Sequence, residues 1–280
     1  FEIDESIAFL SGLIVLYSPI VTINSLRILT ETLFLFLLSI FLLLFIHYLK
    51  SKKIKLVIWS AILLVLATYV RPISYYLPIA VAIFIVLANI KHKFWRAILH
   101  VLIFLFVAYF LLGIWQIRNY RHFHRNVFTH FQNIISYHSP MHSYMKKNNP
   151  FNKGLVMIPF YVDLISRSFI SLMTEPGSLK YFHCRALTIV GKIFGYAFVI
   201  FWWTGFLIGL TKIKRNIFYL FNLFIILYFI FITIAGAGLT STERYRAPFV
   251  PFIAIISAAG WTKFKKKYPF SSFFVNSKVC

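Results

Sequence analysis

Two stretches of this chain restrict its fold more than anything else in it. Residues 97–117 and 217–242 each run without a single Asp, Glu, Lys or Arg. A hydrocarbon core about 30 Å thick is crossed by about 20 helical residues, and a helix satisfies its own backbone polar groups there. Apolar runs of this length read as membrane spans. Composition agrees, because 60% of the 280 residues are hydrophobic and only 13% are charged. An average soluble domain carries roughly 25% charged residues.

The same reading along the chain predicts spans near 7–23, 33–49, 56–70, 73–90, 97–117, 188–210, 217–238 and 247–262. The expected fold class is therefore an all-α integral membrane protein, a polytopic helical bundle of about eight transmembrane helices. A transmembrane domain fills 1–262, with one long extracytoplasmic loop at 118–186 and a basic cytoplasmic tail at 263–280. Arg71-Pro72 marks a tight turn between the third and fourth segments, since proline favours an extended residue before it. A re-entrant pair at that point is the alternative. Within the loop, Leu155 to Met173 has the residues of a helix lying along the membrane surface.

The formal charge of +22 could suggest nucleic acid, but its distribution excludes it. The connections at 50–55, 91–96 and 211–216 carry four, three and three basic residues, and 263–267 carries four. Those clusters fall on one side if every segment crosses, which makes that side cytoplasmic. They also suit anionic lipid headgroups. The integral membrane setting expected is the bacterial inner membrane. The chain starts at Phe1 without Met or a signal peptide, and it reads as the continuation of a longer protein. Cys184 and Cys280 fall on opposite sides, so no disulfide between them is expected.

Seven acidic residues are present. Glu2, Asp4 and Glu5 form a solvated inner end. Glu31, Asp163, Glu175 and Glu243 fall on the outer side, with Arg71, Arg118, Arg244 and Arg246. Each has an ordinary explanation. Thr30-Glu31 opens a helix, Thr240 and Glu243 have capping-box spacing, and arginines near helix ends extend to the headgroups. Their gathering at one membrane face instead suggests a polar cavity opening there. Arg244 and Arg246 flank Tyr245 just before a helix whose first turns contain Pro248 and Pro251. Guanidinium groups bind phosphate oxygens through paired hydrogen bonds, and lipid phosphate is the anion at that depth.

The segment ERYRAPFVPFIAIISAAG at 243–260 resembles the last conserved helix start of polytopic GT-C glycosyltransferases, the branch of protein O-mannosyltransferases and lipid A aminoarabinose transferases. LTETLFLFLLSIFLLL at 29–44, LATYVRPISYYLPIAV at 66–81 and IWQIRNY at 114–120 are similar in order and spacing. The resemblance implies transfer of a sugar from a polyprenyl-phosphate-linked donor to a lipid, glycan or protein acceptor on the extracytoplasmic side. It implies Arg71, Arg244, Arg246 and Arg118 as lipid-phosphate contacts, with Glu31, Glu243 and Tyr245 shaping the pocket. The family's usual catalytic Asp sits in the first outer loop, which has no counterpart here, so the catalytic residue is unassigned.

The competing reading is a transporter or lipid-phosphate flippase without glycosyl transfer. Ionisable residues near helix midpoints and matching interrupted helices would mark it, but here only Lys192 and a few His or Pro residues break the long spans, so the sequence favours the enzyme. His122, His124, His130, His138 and His142 crowd the outer loop, but Pro140 interrupts the helical spacing of the last two. No metal and no cofactor is expected. Trp115 and Tyr120 read as interface anchors. The partners expected are the lipid-phosphate sugar donor and membrane lipids, not nucleic acid.

Overall fold

The computed structural model describes residues 4–26, 30–89, 94–123, 157–174, 185–213, 216–237 and 243–267. These are helical, with no strand among the described residues. The helices are α1 (Glu5–Leu16), α2 (Pro19–Leu26), α3 (Thr30–Ser51), α4 (Ile54–Val70), α5 (Leu77–Asn89) and α6 (Phe94–Phe123), followed by α7 (Met157–Thr174), α8 (Arg185–Ile213), α9 (Ile217–Ala237) and α10 (Val250–Lys267). Short 3-10 turns at Pro72–Ser74 and Glu243–Phe249 precede α5 and α10.

Among the described residues five helical stretches are long and apolar enough to cross a membrane: Thr30–Ser51, Pro72–Asn89, Phe94–His122, Ile189–Thr211 and Ile217–Ile234. The protein is thus a helical membrane protein. The other three expected segments have different outcomes. Helix α4 is apolar but 17 residues long. Helix α10 is 18 residues and ends in a lysine run. The stretch 7–23 does not form one helix: α1 stops at Leu16, and α2 starts afresh at Pro19. Proline has no N–H to donate and its ring collides with the preceding turn, so an apolar run through Pro19 cannot stay one straight helix. A helix covers most of the expected 155–173 stretch, as α7.

The described residues fall into two compact units. One holds α3 to α6, nearly all of α7, the second half of α9 and the turn up to Pro248. Its α3 shows how burial works in an all-apolar helix. Phe34, Leu38, Phe41, Phe45 and Tyr48 are buried, whereas Leu33, Phe36 and Leu43 are exposed. Both faces are apolar, so one packs on protein and the other faces lipid. Small residues Ser60 and Ala61 on the buried face of α4 accompany its packing against α3. On α6, Trp95, Leu99, Leu102, Phe106, Phe110 and Ile114 form an exposed apolar stripe. A stripe of that length would be an aggregation hazard in water and is ordinary in lipid.

Directions in this unit follow from contacts at the helix ends. Arg71 after α4 meets Glu31 at the start of α3. Tyr69 meets Trp115, and Tyr48 near the end of α3 meets His100 near the start of α6. The basic residues Lys50, Lys52, Lys53, Lys55 and Arg96 therefore share the end opposite Glu31 and Arg71. Lys52 closes α3 with φ 54°, and its N–H donates to the Tyr48 carbonyl at 2.8 Å.

The other unit holds α1, α8, the first half of α9 and α10. Here α10 packs on α8 and α1. The closest approach is glycine on glycine. A Cβ on Gly260 would run into the Gly205 carbonyl oxygen, and one on Gly209 into the Ile256 carbonyl oxygen. Backbone carbonyls cannot rotate away as side chains can, so these positions need glycine. Gly260→Val should lower stability by about 3 kcal/mol or prevent folding. Gly113→Ala, where no atom stands within 4 Å, should be neutral or slightly stabilising. Thermal unfolding in detergent would check both, and an unchanged Tm for Gly260→Val would discard the close crossing.

Candidate functional site

Glu31 sits in the first turn of α3, where a carboxylate favours the helix dipole. Thr30 Oγ1 donates to its Oε2 at 3.4 Å. Arg71 ends α4 with its N–H on the Ala67 carbonyl, then turns extended at φ −141° and ψ 115°, as Pro72 requires. Its Nη1 lies 3.4 Å from Glu31 Oε1. Charge-assisted hydrogen bonds are shorter, about 2.7–2.9 Å, so this is an ion pair held by placement. Glu31 is fully buried, whereas the Arg71 side chain keeps 15% exposure.

The turn that carries Arg71 is tied down from several helices. Thr68 Oγ1 and Ser74 Oγ lie 3.0 Å apart, both buried. Tyr109 Oη donates to the Tyr75 carbonyl at 3.4 Å, and Gln116 Nε2 donates to Tyr75 Oη at 2.8 Å. From α9, Tyr228 Oη donates to the Ile73 carbonyl at 2.9 Å. Within the same unit the Phe34 and Phe229 rings meet edge to face, 6.3 Å apart. None of Tyr109, Gln116 or Tyr228 stood out in the sequence. The available signal was a hydroxyl or amide within a span, which must find a partner.

The other expected site residues are placed differently. Arg118 is exposed, and its guanidinium lies 4.7 Å from the Trp115 ring centre. Trp115 meets the Tyr69 ring at 5.4 Å, tilted by 34°. Arg246 is 2% exposed, and its Nη1 donates to the Leu172 and Met173 carbonyls at 3.3 and 3.1 Å. Those are last-turn acceptors of α7, so Arg246 caps that helix. Tyr245 is half-buried. The side chains of Glu243 and Arg244 lie outside the described residues, as do Thr240, Cys184, Cys280 and the histidines at 124, 130, 138 and 142. Among the described residues no three His, Cys, Asp or Glu side chains come together to hold a metal.

Chemically, the paired site offers a permanent cation of fixed orientation next to a buried carboxylate at one end of the helices. A guanidinium so held can stabilise an anion without reorganising. Protein-family models, curated proteins and solved structures offer no match to this chain.

Proposed function

We propose that this chain acts as a membrane glycosyltransferase that moves a sugar from a polyprenyl-phosphate-linked donor to an acceptor at the extracytoplasmic face. The observation that carries the reading is the buried Glu31 holding the partly exposed Arg71 where helices end. The ordered motif resemblance adds to it. In this reading α4, the broken α1–α2 segment and α10 join the five long stretches as an eight-segment bundle in the bacterial inner membrane. Helix α7 lies along the outer surface.

In the reaction an acceptor hydroxyl attacks the anomeric carbon, and the bond from that carbon to the phosphate oxygen breaks. The hydroxyl proton passes to a general base, which is left unassigned. Arg71 stabilises charge developing on the departing lipid phosphate, with Arg244 and Arg118 as further contacts. Glu31 sets the orientation of Arg71. Arg246 contributes through α7, and Glu243 and Tyr245 shape the approach.

The test is transfer from a polyprenyl-phosphate sugar by the full-length protein. Arg71→Lys keeps the charge and loses the planar fork, so the rate per folded molecule should fall about a hundredfold. Near-wild-type transfer by Arg71→Lys would remove Arg71 from the phosphate. Donor translocation without release of free polyprenyl phosphate would replace the transferase with a flippase.

A further inference from the structure

The opposite end of the same unit carries a second cluster, which the proposed transfer does not use. Tyr48 is buried, and its hydroxyl is 3.0 Å from His100 Nδ1, itself buried. Lys52 folds its ammonium back over the Tyr48 ring, 5.5 Å from the centroid. Arg96 stands one helical turn before His100 on α6, and Lys52 comes from the α3–α4 connection. Two cations from separate elements thus converge on one buried Tyr–His pair.

Residues 32–162, which include α4, α5, α6 and nearly all of α3, contain no Asp or Glu. Lys50, Lys53 and Lys55 add further positive charge to the same end. Lys52 is also no freely swinging surface lysine. Its left-handed backbone directs it, and partial burial lowers its pKa from the ordinary lysine value by desolvation. Lys52 is half-buried and Arg96 is exposed, so both charges are open to a counter-charge from outside the chain. Trp95, 80% exposed beside Arg96, and the exposed Phe94 and Ile54 mark this as headgroup depth.

We infer that Lys52 and Arg96, set around the Tyr48–His100 pair, form a binding site for the phosphate of an anionic phospholipid in the inner leaflet. The phosphate sits between the ammonium and the guanidinium, and the acyl chains run along the exposed apolar stripe of α6. A merely topological basic cluster would treat every lysine in it alike. A built site depends on these two residues.

The experiment uses the full chain in a neutral detergent, titrated with phosphatidylglycerol and followed by thermal unfolding and native mass spectrometry. Saturable stabilisation is expected with phosphatidylglycerol and not with phosphatidylcholine. Lys52→Asn, which suits the left-handed backbone, and Arg96→Gln should each weaken binding about fivefold. Lys55→Gln should change it by less than about twofold, and Lys52→Arg should retain it. Should Lys52→Asn fail to fold, Arg96→Gln decides independently. Equal losses in all three charge-removing variants would reduce the site to a diffuse field and overturn the proposal. Equal stabilisation by phosphatidylcholine or by inorganic phosphate would overturn it as well, as would the absence of saturation.

Discussion

Arg71→Ala, with Glu31 left in place, should destabilise the folded protein by about 3–5 kcal/mol. Glu31 is fully buried, and the Arg71 guanidinium faces its Oε1 at 3.4 Å. Removing the cation leaves a carboxylate in low dielectric without that counter-charge. Neutralising the pair together should be much milder. Arg71→Met combined with Glu31→Met fills similar volume and leaves no isolated charge, so it should recover most of the loss, as buried pairs generally allow. Denaturant unfolding of wild type, Arg71→Met, Glu31→Met and the double Met variant in one detergent, analysed as a double-mutant cycle, measures the coupling directly. A coupling near zero would mean that the carboxylate and guanidinium do not depend on each other. The transferase reading would then lose its oriented cation. The doubly substituted protein adds a second result: folded but inactive in transfer, it would separate the pair's chemistry from its contribution to stability.

How much of this was legible beforehand depends on which interaction set each feature. The turn after α4 was visible because Pro72 acts locally on Arg71, and the start of α3 because Thr30-Glu31 is a local helix-opening signal. Pro19 carried the same kind of information, yet hydropathy outvoted it, and 7–23 read as one span although the helix breaks before that proline. Which face of α3 packs inward was not legible, since Leu33 and Phe34 are alike in hydropathy and opposite in burial. Glu31 and Arg71 were both singled out for lying at one membrane face. Their direct pairing needed the antiparallel packing of α3 on α4, a tertiary fact. The partners of Arg246 were the least accessible. They are backbone carbonyls at the end of a distant helix, which no side-chain pattern reports.

Arg246 gives the last test, because its placement differs from that of Arg71 in a way that makes opposite demands on the same substitution. Its Nη1 reaches two carbonyls at the end of α7, Leu172 and Met173, and only 2% of the residue is exposed. A helix leaves its last carbonyls without intrahelical partners, and a cation there also complements the dipole. Arg246→Ala strips both acceptors of this donor at a buried position, at about 1–3 kcal/mol for each. The end of α7 should then fray, and amide hydrogen exchange over 157–174 should accelerate while exchange over 54–70 stays as it was. Arg246→Lys keeps a charge and three donors on one nitrogen, so it should restore part of the protection. Transfer by Arg246→Lys, per folded molecule of the full-length protein, should stay within about tenfold of wild type, against about a hundredfold loss for Arg71→Lys. The reverse pattern is equally clear to read. Unchanged exchange over α7 together with a hundredfold loss for Arg246→Lys would put this guanidinium on the lipid phosphate, and the capping geometry would then be incidental to its role.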